Sequence, residues 1–298
     1  MEKVARGLGE LAEAFLLSKQ VSGCTEATLG SYRLWLRRFR EGMENERPEA
    51  LSIHQFFARL GERGLGPQSL HDAYRRIGAF LRWCAGIGEL PGDLMAGLRI
   101  RTPRTLPQVP TEDEVRAILR ACPASGFFGK RNRALMLVLA DAGLRASEVL
   151  SLLLEHWGAA DRSLFVRSGK GRKDRVAFVS PTTARALRDY LAARPVVPPD
   201  GFLFVDAQDQ RLKRRHLIQI LHRLSTKAGL APNRRIHPHA LRHFAATSWL
   251  RNGVGLDEVR RLLGHESLST TLRYSSLVAS DLQHAHRKAG AIERLRLE

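Results

Sequence analysis

TPRTLPQVPTEDEVRAIL, residues 102–119, decides how the chain is organised. Its first nine positions hold Pro103, Pro107 and Pro110 and show no helical period, so they read as an extended linker. At Thr111 the pattern changes. Thr111 can cap a helix, and Glu112, Asp113 and Glu114 fall in a first turn where the helix dipole favours negative charge. Glu114 also completes a capping box with Thr111. A domain boundary is therefore expected at 102–110, with residues 1–101 forming one domain and 111–298 a second that opens on this helix.

Upstream of the linker the chain reads as helix throughout. Leu11, Phe15 and Leu16 share a helical face, as do Leu29, Tyr32, Trp35, Leu36 and Phe39 at spacings of three and four. A third helix is expected at 52–63, with Ile53, Phe56, Phe57 and Leu60 apolar, and a fourth after GLGPQS, carrying Leu70, Tyr74, Ile77, Phe80, Leu81 and Trp83. The turn residues of GERGLGP separate these two. The expectation is a four-helix unit whose aromatic residues form its core and do not bind a ligand.

Downstream, SLFVRSGKGRKDRVAFVS, residues 163–180, has two short alternating or β-branched segments around a Gly/Lys-rich turn, which signals a hairpin. Helices are expected at about 131–142, 181–194, 212–229, 238–252, 255–263 and 268–277, with another short strand at 202–205. The predicted fold class is mainly α with a small β-sheet (α+β), in two domains.

Composition narrows the function. The 298 residues, 44% hydrophobic and 26% charged, suit a globular protein large enough for two ordinary domains. No apolar run approaches the roughly 18–20 residues of a membrane span, and MEKVARGLGE lacks the apolar stretch of a signal peptide. The expectation is a cytoplasmic protein with no membrane contact. Cys24, Cys84 and Cys122 are odd in number and far apart, so neither a disulfide framework nor a cysteine zinc site is indicated. The formal charge of +18 attracts polyanions, and its distribution is uneven. Residues 1–101 carry 15 Lys and Arg against 12 Asp and Glu, whereas residues 102–298 carry 33 against 18. Phosphate contact is therefore expected of the second domain.

Four segments of that domain contribute polar groups that a core does not need. GLRASE places Arg145 at a helix start with Glu148 three residues on; alone, this is an ordinary surface ion pair. GKGRK puts Lys170 between two glycines at the hairpin tip, with Lys173 nearby, and lacks the GxxxxGK[ST] of a nucleotide-binding loop. HPHALRH opens a helix after a proline, so that His239 and Arg242 project from one face. His239 and His243 also have the spacing of zinc ligands, but Ala240 stands where a zinc hydrolase carries glutamate, and no cysteine is near. His237 and His243 are read as hydrogen-bonding or packing residues. RLLGHESLSTTLRYSS carries His265 and, nine residues later, Tyr274. Together these are what metal-free attack on a phosphodiester requires: arginines to neutralise the non-bridging oxygens, a cationic setting and a base for a phenol, and a proton donor for the leaving oxygen.

GLRASE, GKGRKDR, HPHALRH and LLGHESLSTTLRY, in this order between residues 143 and 274, resemble the tyrosine recombinase (phage integrase) family, with most likeness to its Xer-like subgroup. The resemblance covers 102–298, and the helical unit before the linker also looks like the family's core-binding domain. It implies that Tyr274 is the nucleophile and forms a 3′-phosphotyrosine, that Arg145 and Arg242 clamp the scissile phosphate, and that Lys170 protonates the departing 5′-oxygen. His239 becomes the general base or proton shuttle, His265 a hydrogen-bond donor to a phosphate oxygen, and Glu148 the residue that orients the arginines. Lys173 is the rival of Lys170, and only the match to the first lysine of the family's GKG selects Lys170. Many relatives have a histidine two residues after the tyrosine, where this chain has Ser276; this bears on local support of the nucleophile. No metal or cofactor is implied.

The resemblance further implies action as a homotetramer or heterotetramer on two double-stranded DNA sites, association with the nucleoid, and possible control by an accessory protein. Residues 281–298 form an amphipathic pattern, with Leu282, Ala285, Ala289, Ile292 and Leu295 on or near one face; the segment either passes to a neighbouring subunit or docks back on its own domain. Lys213, Arg214 and Arg215 open a helix and are candidates for DNA contact, with a solvated charged helix as the alternative. The short region before the linker is expected to leave no room for a further arm-binding domain. Two other functions remain open: DNA relaxation by type IB topoisomerase chemistry, and non-catalytic DNA binding.

Overall fold

Apolar residues at three- and four-residue spacing fold the first part of the chain into four helices, α1 (Leu8–Val21), α2 (Glu26–Glu41), α3 (Ala50–Glu62) and α4 (Pro67–Gly86). The computed structural model describes residues 6–45, 47–101, 108–167, 174–195, 198, 200–265 and 271–272. Packing divides the chain into two units, Met1–Thr105 and Leu106–Glu298. In the first, α4 packs against each of the other three helices. Phe15 is fully buried at its centre, with edge-on ring contacts to Tyr32, Phe80 and Trp83 at 5.1, 5.5 and 5.6 Å. The indole N–H of Trp35 donates to Asp72 Oδ2 at 2.9 Å, so its burial leaves no orphaned donor. The aromatic residues of this unit are thus core residues, as their spacing predicts.

The second unit opens on α5 (Glu112–Ala121), whose capping box forms: Glu114 N–H donates to Thr111 Oγ1 at 3.2 Å, and Thr111 N–H to Glu114 Oε2 at 2.8 Å. Next come α6 (Gly126–Asp141) and the short α7 (Ala146–Leu150). A three-stranded antiparallel sheet follows, β1 (Trp157–Gly158), β2 (Ser163–Val166) and β3 (Arg175–Phe178), in the order β1-β2-β3. The hairpin register pairs Val166 with Arg175 and Leu164 with Ala177. Leu164, Val166 and Ala177 face the core, while Phe165, Val176 and Phe178 stay exposed. The chain ends, within the described residues, in α8 (Pro181–Ala192), α9 (Arg214–Lys227), α10 (Pro238–Arg251) and α11 (Leu256–Leu263). α6 packs against α8 and α10. No helix among the described residues is long and apolar enough to cross a membrane.

The fold class is the expected one, mainly helical with a small sheet, and three local readings change. Residues 202–205 do not form a strand: Phe202 and Val205 make only isolated bridges, to Leu153 and Arg211. Strand-forming residues are present there, but their backbone bonds go singly to Leu152 on one side and Leu212 on the other, and no continuous ladder forms. The helix expected from 131 begins at Gly126, because Gly129 lets its first turn lie against the Pro123 carbonyl where a side chain would collide. β1 was not predicted; at two residues it has no period to detect. The helix expected at 268–277 lies outside the described residues except for Thr271 and Leu272.

Candidate active site

The site is built around one carboxylate. α7 is five residues long, with Arg145 as its N-cap and Glu148 in its first turn. Glu148 Oε2 accepts from the Arg145 backbone N–H at 2.8 Å, and Oε1 from Arg145 Nη1 at 2.7 Å. Arg175, reaching in from β3, donates Nη1 to Oε1 at 3.0 Å and Nη2 to Oε2 at 2.9 Å, a bidentate pairing. Arg242 Nη1 lies 3.9 Å from Oε2. Burial raises the Glu148 pKa, but the hydrogen bond and charge of Arg175 and the two bonds from Arg145 outweigh it, and the value is lowered to about 2. Glu148 is therefore anionic at any working pH.

The same three arginines meet the end of α11. Arg175 Nε donates to Leu262 O at 3.3 Å, Arg242 Nη2 to Leu263 O at 2.8 Å, and Arg145 Nη2 reaches Gly264 O at 3.4 Å. The last carbonyls of a helix have no intrahelical donor and carry the negative end of its dipole, so three consecutive ones form a natural seat for cations. Arg242, its side chain 4% exposed, also donates Nη1 to Gly143 O at 2.7 Å, just beyond the end of α6. Both turns depend on glycine. Gly143 and Gly264 have φ of +59° and +63°. A Cβ on Gly143 would lie 3.0 Å from Trp249, and one on Gly264 3.0 Å from Arg175 Nη1. Three guanidiniums against one carboxylate leave the centre positively charged.

Gly264 hands the chain to His265, which is buried. Its N–H donates to Arg260 O at 3.0 Å, its carbonyl accepts from Arg260 Nη1 at 3.2 Å, and its Nδ1 lies 2.9 Å from Thr271 Oγ1. On α10, His237 is the N-cap and its Nδ1 accepts from the Ala240 N–H at 3.1 Å, so it serves the helix. His239 lies two residues on, with its surface accessible although protein crowds it on several sides. That crowding is the largest cause of its lowered pKa, followed by the charges of Arg214, His237, Arg242 and Arg145. The imidazole is therefore neutral near pH 7, among cations.

The structure brings Arg145, Glu148, Arg242 and His239 together, with His265 on the adjoining turn. Lys170, Lys173 and Tyr274 lie outside the described residues, as do residues 281–298. Of the cations opening α9, Lys213, Arg214 and Arg215 are all exposed, and Arg214 is close enough to depress His239. Among the described residues no three His, Cys, Asp or Glu side chains gather as metal ligands would. Arg175 is the residue that sequence reasoning missed. A signal existed: it shares the inward face of its strand with Ala177 and Val179, both buried, so alternation alone aims it at the core.

Residues 108–280 match the phage integrase family. The tyrosine recombinase XerA of Pyrococcus furiosus is 31% identical over 297 residues, covering 99% of this chain and 98% of that protein. The tyrosine recombinase XerC of Yersinia pestis is 30% identical, covering 95% of this chain and 94% of its own. Among solved structures, the XerH site-specific recombinase bound to a palindromic difH substrate in a post-cleavage complex superposes with a TM-score of 0.73 at 21% identity, over 90% of this chain and 80% of that one; the likeness is one of fold.

Proposed function

The chain belongs to the phage integrase family and is a Xer-like, tyrosine-type site-specific recombinase, and on that premise we propose how its own residues cut and rejoin DNA. The Tyr274 phenolic oxygen attacks the scissile phosphorus. A bond forms from that oxygen to phosphorus, the bond from phosphorus to the 5′-oxygen breaks, and the product is a 3′-phosphotyrosine with a free 5′-hydroxyl. His239 takes the phenolic proton as general base, a role open to an imidazole that is neutral near pH 7. Lys170 supplies the proton to the departing oxygen. Arg145 and Arg242 neutralise the non-bridging oxygens, His265 donates to one of them, and Glu148 holds the arginines in place. The phosphotyrosine conserves the energy of the broken diester, so a 5′-hydroxyl from a second duplex completes strand exchange with no external energy source.

The observation that carries this reading is the gathering of Arg145, Arg242 and His239, from segments about a hundred residues apart, around one anionic carboxylate, which leaves a net positive centre beside the turn that leads to His265. Residues 1–101 serve as a DNA-clamp domain, 102–110 as the linker and 111–298 as the catalytic domain. Lys173, Lys213, Arg214 and Arg215 add phosphate contacts, and tetramers assemble on paired DNA sites in the nucleoid. No cofactor takes part. The XerH relative is described as bound to its difH site, which supports a duplex recombination site as the substrate here.

The test is to incubate the protein with fragmented genomic DNA of its source organism and to trap and sequence covalent adducts. Wild type is expected to yield adducts at a small set of related sites, and Tyr274→Phe none. Adducts formed equally by Tyr274→Phe would overturn the assignment of the nucleophile.

A further inference from the structure

Arg175 differs from Arg145 in how its nitrogens are used. Nε, Nη1 and Nη2 each donate to a protein acceptor: Leu262 O, Glu148 Oε1 and Glu148 Oε2. Its side chain is 11% exposed, and its strand pairs with β2 on the hairpin that carries Lys170. Such a group is poorly placed to bind substrate and well placed to hold other groups. Arg145, by contrast, commits only Nη1 to the carboxylate, and its Nη2 makes a long 3.4 Å contact with Gly264 O.

We propose that Arg175 is a positioning residue for DNA cleavage: its guanidinium fixes Glu148 and the Gly264–His265 turn so that Arg145 keeps part of its fork for the scissile phosphate. The inference rests on the reading of Arg145 as a phosphate ligand. A carboxylate and a guanidinium left alone favour a bidentate pair in which both oxygens face both nitrogens. Here both oxygens are already occupied by Arg175 from the β3 side, so Arg145 is held by one nitrogen and one backbone N–H instead of being drawn fully onto Glu148.

The guanidinium has a second contact. A Cβ on Gly264 would lie 3.0–3.1 Å from Arg175 Nη1, Cδ and Cζ, so the left-handed turn before His265 rests directly on this side chain. Removing Arg175 would strip Glu148 of its bidentate partner and empty the space beneath that turn in one step. The groups that face Glu148 are Arg145 from α7, Arg175 from β3 and Arg242 from α10. Arg175 is the largest of the influences that keep the carboxylate ionised against its burial.

The experiment uses the full chain and a nicked duplex carrying a site recovered by adduct trapping. Single-turnover adduct formation, DNA affinity and thermal melting are measured for Arg175→Met, Arg175→Lys, Glu148→Gln and Arg175→Met with Glu148→Gln. Arg175→Met is expected to slow adduct formation on the order of 10²-fold, the scale of a displaced catalytic group, with little change in DNA affinity. Arg175→Lys should recover only part of the rate, since an ammonium cannot span both oxygens, and it keeps the test valid if the methionine variant unfolds. In the Glu148→Gln background the further loss from Arg175→Met should be much smaller than in wild type. A folded Arg175→Met protein that cleaves at the wild-type rate would overturn the inference, as would full additivity with Glu148→Gln or a loss of DNA affinity that matches the loss of rate. Arg145→Lys is the control: a normal rate there removes the reading of Arg145 itself, whereas a dead Arg145→Lys beside a normal Arg175→Met removes only the role given to Arg175.

Discussion

Each unit has one side chain around which its neighbours are arranged, and the two are chemically opposite. In Met1–Thr105 it is Phe15, touched edge-on by Tyr32, Phe80 and Trp83 and closed off from solvent. In Leu106–Glu298 it is Glu148, held by Arg145 and Arg175 with Arg242 at 3.9 Å. The first is held by area removed from water, which no pH change can cancel. The second is held by charge that had to be desolvated, an arrangement that gains little stability over an apolar core of the same volume. On the function proposed above, the arginine cluster is kept for what it does to the scissile phosphate.

The largest effect should come from removing the aromatic centre. Phe15→Ala is expected to destabilise the first unit by about 3–5 kcal/mol, the usual cost of truncating a fully buried phenylalanine, and by the same amount at pH 7 and pH 4. The buried thiol of Cys84, its pKa pushed up to about 12 by burial, reports on this: its alkylation in urea should begin at lower denaturant, while the Cys122 thiol of the other unit keeps its protection. A Phe15→Ala penalty that varied strongly with pH would break the comparison.

Glu148→Gln should behave in the opposite manner. The folded pKa of about 2 lies below the ordinary 4.5, so the ionised carboxylate contributes stability that is fully present above about pH 4.5 and lost as pH falls through 2. The shift corresponds to about 3 kcal/mol at neutral pH, as an order of magnitude. Hydrogen exchange in α10 and α11 should therefore show the variant much less protected than wild type at pH 7, with the two converging as the solution approaches pH 2. Equal losses at both pH values would mean that Glu148 acts through packing and not through charge.

How far each centre could be read from the sequence follows from the range of its interactions. The Thr111 capping box and the pairing of Arg145 with Glu148 are contacts three residues apart, and local spacing gives them directly. The faces of α1 to α4 come from periodicity, since a core needs only the right side chains on one side of a helix. Arg175 could be seen to point inward, but its partner lies 27 residues away on another element, and no pattern in the chain names that pairing. The acceptors on α11 were less visible still. Leu262, Leu263 and Gly264 contribute backbone carbonyls, which every residue has, and only the end of the helix makes them available. Residues 202–205 show the converse error, with strand-forming side chains and no strand beside them. Tyr274 and Lys170 rest on motif order alone.

The smallest effect sharpens the comparison most, because it asks whether the field of the second unit reaches a group at its edge. His239 is held below its ordinary pKa of 6.5 by crowding and then by Arg214, ahead of Arg242 and Arg145. A nearby cation disfavours the protonated imidazole, so Arg214→Gln should raise this pKa toward 6.5. If His239 takes the proton of the phenol it must be neutral, and the rate of adduct formation falls on the acid side as it protonates. The acid limb of the Arg214→Gln variant should therefore move to higher pH by a fraction of a unit, with the plateau rate above pH 7.5 nearly unchanged at saturating DNA. A limb that stays in place while DNA affinity drops would assign Arg214 to phosphate contact alone, and a limb that moves to lower pH would contradict the electrostatic account of the centre.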